Sequence, residues 1–218
     1  MNAQVRRRPL VTRLLGWLFR GAEYRIICGI RVGTAQSNAA TSEAMLGKLE
    51  AALTLLKRHD PRPVAALQKV TDGIFVFGTA GVCAEWWRDA RLVVMQDEYL
   101  ADSGTSTAAV AATLVHEATH AWLEHLGFQY TAERRPRIES ICFRRELRFA
   151  RRLPGATDLA AMIEQQLTRS PEHLTDEAFR ERTLAELRQL GVPDWLVRLL
   201  VWCLRRFDRF TGAWSPLA

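Results

Sequence analysis

The chain has few cysteines, and each stands alone. Cys28, Cys83, Cys142 and Cys203 are scattered without a C-x-x-C pair, which argues against a zinc ribbon and a disulfide framework and favours a reduced, cytosolic setting. No apolar run approaches the roughly 20 residues that span a bilayer; even "WLVRLLVWCL" is broken by Arg198. Internal repeats and low-complexity linkers are also missing. Nothing therefore divides the 218 residues, a length that one domain with a real core can fill, and a single domain over 1–218 is expected. Lysine is scarce beside arginine, yet the net charge is still +6, from 30 Lys plus Arg against 24 Asp plus Glu. That excess suits an anionic partner, but the basic residues lie mostly among acidic ones on helix-like segments. This is the pattern of a solvated surface, and nucleic acid is not indicated beyond the charge itself.

The opening stretch "VRRRPLVTRLLGWLF" imitates a signal peptide. Arg13 and Arg20 interrupt its apolar run and no A-x-A site follows, so cleavage is not expected. Leu10, Leu14, Trp17 and Leu18 recur at helical spacing between arginines, which makes 1–22 a basic amphipathic segment. It either packs on its own domain or touches a membrane surface or a partner, and the expected location is cytoplasmic with that membrane contact as an option.

Beyond it, "YRIICGIRV" at 24–32 is rich in β-branched residues and reads as a strand. After a small, polar loop, Ser42 is placed to cap a helix whose Met45, Leu49, Leu53 and Leu56 recur every three or four residues as far as Arg58. The "DPRP" at 60–63 ends it and starts a short second helix. Two further strands are expected, around Ile74 to Phe77 and Arg91 to Tyr99, joined by a segment holding Trp86 and Trp87. An alanine-rich helix then starts near Ser103 to Thr107, where hydroxyls can cap backbone amides, and stops at Gly127. Another runs from Pro136 to Pro154, and 155–218 is read as a helical C-terminal part. Strands early and helices late give an α+β class, mostly helical, with a small sheet from the N-terminal half.

The alanine-rich helix carries "HEATH" at residues 116–120. Residues four apart share a helix face, so His116 and His120 can aim ring nitrogens at one point about 2 Å from each. Glu117 is one residue off that face and can reach a water held there. Zinc lowers the pKa of such a water towards neutrality, and a carboxylate in that place acts as general base. Leu114, Val115, Ala118, Ala121 and Trp122 surround the motif with apolar or small residues, as a buried helix requires.

A catalytic zinc needs a third protein ligand. The metzincin continuation would put glycine at Leu123 and histidine at Leu126, so it is excluded. His125 points away from the pair, and Glu124, although four beyond His120, would crowd the ion. Glu139 in "PRIESICFRRE" is the better candidate. A turn between antiparallel helices can carry it back over the histidines, and Ile138, Ile141, Cys142 and Phe149 give its helix an apolar side, so a buried carboxylate there needs a partner. Glu146, two turns later on the same face, is the second choice. Tyr130, Arg134 and His173 have the chemistry to steady an oxyanion, but sequence does not place them.

With these residues the chain resembles the zincin metallopeptidases, specifically the gluzincin arrangement of H-E-x-x-H followed by a glutamate on the next helix. The resemblance spans about Arg91 to Arg152, with HEATH its specific motif. It implies Zn2+ held by His116, His120 and Glu139, Glu117 as base, and hydrolysis of a peptide or protein substrate. It further implies that the strand "RLVVMQDEYL" edges the sheet beside the cleft, where an extended substrate could pair with it. The thermolysin-like branch has an aspartate four residues after its glutamate ligand; here that residue is Phe143, so the group orienting the zinc histidine is unidentified. The competing expectation is a basic helical binding protein, on nucleic acid or a membrane surface, in which HEATH holds a structural metal or none.

Overall fold

The computed structural model describes residues 24–35, 38–77 and 82–168. The amphipathic start, the helices expected after Thr168, and the residues His173 and Cys203 lie outside the described residues. Among the described residues, five strands and six helices form an α+β arrangement.

The stretch read as one strand is a hairpin, β1 (Tyr24–Ile27) and β2 (Ile30–Thr34), paired antiparallel with Ile27 opposite Ile30. Cys28 and Gly29 form its two-residue turn with φ of 50° and 76°, both positive as a turn matched to strand twist demands. A cysteine in that conformation gives no sequence signal, which is why the break was not expected. Helix α1 (Ala39–His59) follows, capped by the Asn38 side chain on the Thr41 amide rather than by Ser42. Asp60 then caps α2 (Pro61–Val70), whose first residue is the proline that begins the expected short helix.

Strands β3 (Gly73–Val76) and β5 (Leu92–Met95) are buried throughout and lie parallel to each other, with β3 also parallel to β2. Such continuous apolar runs are the mark of central parallel strands. The Trp86–Trp87 connection is itself a strand, β4 (Ala84–Trp87), antiparallel to β5. The sheet order is β1-β2-β3-β5-β4. The expectation that "RLVVMQDEYL" edges the sheet is thus corrected: its strand is β5, an interior one, and β4 takes the edge. Tryptophan fits a half-covered edge surface, but a four-residue "AEWW" is too short for alternation to declare itself.

After the short α3 (Asp97–Ala101), Ser106 caps α4 (Thr107–His125) by accepting from the Ala109 amide. Ala111 and Ala112 are fully buried, letting α4 lie close to its neighbours α1 and α2. Val32, Ile74, Val76, Val93 and Met95 on one sheet face join Leu49, Leu53, Leu56, Val110 and Leu114 of the helices in one core. The turn after α4 leads to α5 (Arg135–Ala150), which packs along α4, and to α6 (Thr157–Thr168). Arginines pair with acids at the surface, as in Arg25–Glu43, Arg152–Asp60 and Arg151–Glu164. No helix among the described residues is long and apolar enough to cross a membrane.

Gly73 opens β3 with φ of 156°, and a Cβ there would stand 2.6 Å from the Arg31 carbonyl oxygen on β2. Neither backbone can yield without breaking sheet pairing. Gly73→Ala is therefore expected to lower stability by about 1–3 kcal/mol, read as a lower urea midpoint with an unchanged denaturant slope.

Candidate metal centre

The catalytic-type geometry expected of HEATH depends on which way α4 turns, and the core decides that. Leu114, Val115, Ala118 and Ala121 are buried, and this fixes the helix so that His116 and His120 look towards α5. Their rings lie 5.0 Å apart between centroids, and only about an eighth of either side chain is exposed.

Helix α5 answers with two carboxylates. Glu139 Oε2 lies 3.1 Å from His116 Nε2, and its Oε1 lies 3.4 Å from His120 Nε2. Glu146 Oε2 lies 3.0 Å from the other nitrogen of His116, Nδ1. The Tyr130 hydroxyl donates to Glu139 Oε1, and its ring meets His120 edge-on at 5.3 Å. Phe143 meets His116 edge-on at 4.6 Å. Phe143 thus packs against His116, and Glu146, about one turn further along α5, lies against its Nδ1.

Charges in this cluster are strongly coupled. Burial works against a charged His116, yet its hydrogen bonds to Glu139 and Glu146 prevail and raise its pKa to about 10. For Glu139, burial also opposes ionisation, and the two histidines overcome it, holding the carboxyl well below its usual range. Glu117 is buried and its pKa is raised, chiefly by burial, with His120, His116, Glu139 and Glu146 as charged neighbours. A general base needs such a lift towards working pH. Cys142, on α5 and fully buried, has its thiol pushed up by burial and by the nearby charge of Glu139.

His116, His120 and Cys142 form a group that could hold a metal ion, with their ligand atoms all within 4.8 Å of one another. The histidine–Glu139 separations also fit. Neighbouring donors of a tetrahedral ion at bond lengths of about 2.0–2.1 Å stand about 3.3–3.4 Å apart. Nitrogen, carboxylate and thiol donors together suit a borderline-soft divalent cation.

The remaining sequence candidates separate clearly. Glu124 is not at the centre: it accepts from Trp86 Nε1 at 2.8 Å and Arg88 Nε at 2.6 Å, tying the end of α4 to β4. His125 is exposed, its ring tilted against Trp122. Arg134 is exposed beside the start of α5, while Arg135 is buried with its guanidinium 5.1 Å from the Tyr130 ring centre. Tyr130 is present, but its hydroxyl engages Glu139. Sequence reasoning missed Glu85 on β4, whose carboxyl accepts from Trp87 Nε1 at 2.9 Å and is raised mainly by burial, with Glu117 adding to the rise. It also missed the orienting position of Glu146, although the seven-residue step from Glu139 had put both on one face.

Comparison with protein-family models, curated proteins and solved structures gives no match.

A carboxylate on the far nitrogen of a ligating histidine fixes its tautomer and raises its basicity. Glu146→Ala is expected to weaken metal binding about 10–100-fold, measured by competition with a chromophoric chelator. Glu146→Gln retains an accepting oxygen and should lose less.

Proposed function

We propose that the protein is a zinc-dependent hydrolase of the metallopeptidase kind. The observation that carries this reading is the convergence of His116, His120 and Glu139 beside the buried Glu117. His116 Nε2, His120 Nε2 and Glu139 would hold the ion, and Glu146 would keep the His116 Nδ1–H turned away from it. A zinc ion there would supply a water of lowered pKa and would polarise the scissile carbonyl. Glu117 accepts the proton of the attacking water at its carboxylate and returns it to the leaving amine. Tyr130 holds Glu139 in place through its hydroxyl, and the Phe143 ring packs edge-on against His116. An extended peptide would lie along β4, which among the described residues pairs with β5 alone and forms one edge of the sheet.

The test is elemental analysis of untagged protein, wild type against His116→Ala and Glu139→Ala. About one zinc per chain, lost in both variants, is expected, followed by cleavage of a mixed peptide pool by the wild type. A wild type that takes up no zinc even on incubation overturns the reading and favours the basic binding protein. Zinc uptake with hydrolysis confined to non-peptide amides or esters would retain the chemistry and change the substrate.

A further inference from the structure

The three donors assigned above leave one tetrahedral position, yet the centre contains a fourth metal-binding side chain. Cys142 lies three residues after Glu139 on α5 and is fully buried. Its sulfur and one ring nitrogen each of His116 and His120 lie within 4.8 Å of one another. Beyond packing, the proposed hydrolysis gives this thiol no task. Zinc–sulfur bonds are about 2.3 Å, against about 2.0–2.1 Å to histidine nitrogen. Sulfur therefore reaches an ion from further back in the wall than nitrogen or oxygen can.

We propose that Cys142 is a resting-state ligand of the metal, closing the centre as a latch that must release before water can take the fourth position. This rests on the zinc-hydrolase reading above. A centre with four protein donors is closed in the manner of a structural site, whereas catalysis keeps one position open. Latching breaks the Cys142 S–H bond, sends the proton to solvent, forms one sulfur–metal bond and displaces one water; release reverses each change, and no electrons are transferred. The α5 helix is suited to this exchange, because Glu139 and Cys142, three residues apart, share the face turned to α4. The histidines, fixed by the α4 core and by Glu146, stay as ligands in both states.

The experiment loads the chelator-stripped full chain with one equivalent of cobalt(II) and records its absorption. A near-ultraviolet sulfur-to-cobalt charge-transfer band is expected in the wild type and in Cys83→Ser, and its loss is expected in Cys142→Ser and Cys142→Ala. Both Cys142 variants should still bind one cobalt per chain, with visible bands from the histidine ligands, and with zinc they should cleave faster than the wild type. Circular dichroism of the serine variant checks that the fold is kept. Stoichiometric cobalt without the charge-transfer band, or a band that survives Cys142→Ser, overturns the latch and leaves the hydrolase reading in place. Failure of the wild type to bind cobalt or zinc at all overturns both.

Discussion

Glu117→Gln is expected to lower kcat/KM for peptide hydrolysis by about 10²–10⁴-fold while leaving metal content at the wild-type value. Glutamine has nearly the same shape, so a buried position in α4 can accommodate it, but an amide cannot take a proton from water. Glu117 is not among the groups whose atoms approach the histidine nitrogens at ligand distance. Its buried carboxyl faces the charges of both histidines and of Glu139 and Glu146, as a base beside a metal site would. The measurement is a steady-state assay on the peptide pool, with zinc determined on the same samples. Activity that persists in the glutamine variant removes Glu117 from the chemistry, and zinc lost together with activity would make it a structural support of the site.

The parts of this site that sequence reveals are those set by helical periodicity. His116, Glu117 and His120 lie within one turn or so of α4, and the four-residue step alone puts the two imidazoles on one face. Glu139 was reachable by a longer argument, because a buried acid on an amphipathic helix needs a partner. The α5 helix does bring it to the pair, 3.1 Å and 3.4 Å from their nitrogens. Glu146 shows where that argument stops. Periodicity places it on the same face as Glu139, but only the packing of α5 along α4 decides that it meets Nδ1 of His116 instead of standing over Nε2. Cys142 illustrates the opposite difficulty, since an isolated cysteine in an apolar run looks like a small core residue.

The sheet follows the same rule. The strands β3 and β5 announce themselves as apolar runs, of Ile, Phe and Val in β3 and of Leu, Val and Met in β5. The β4 strand does not, because the acid at Glu85 and the two tryptophans obscure any two-residue alternation. Its edge position therefore became visible only through pairing with β5. The hairpin turn at Cys28–Gly29 was hidden for a different reason: its first residue adopts positive φ without belonging to the types that favour it.

On the zinc-hydrolase reading, stripping the metal is expected to lower the thermal midpoint by roughly 10 °C relative to zinc at about a thousandfold above Kd. Binding to the folded state alone adds RT ln(1 + [L]/Kd), about 4 kcal/mol at that excess, and each kcal/mol moves the midpoint of a chain this size by about 2–4 °C. The sign follows from the charges. Glu85, Glu117, Glu139 and Glu146 gather around two histidines, and without metal this excess of acid is met at the centre by the proton that keeps His116 charged. Burial lifts Glu85 and Glu117 towards the neutral form, so an anionic interior is already being resisted. A divalent ion held there would bring two positive charges to a centre where the proton on His116 supplies one, and the unfolded chain has no such arrangement of ligands to compete for it. Differential scanning calorimetry with zinc, with a chelator, and with zinc restored checks the shift and its reversal. In His116→Ala the zinc and chelator midpoints should coincide; a wild type with the same two midpoints coincident would mean that the acids of α4, α5 and β4 are held apart by the protein alone.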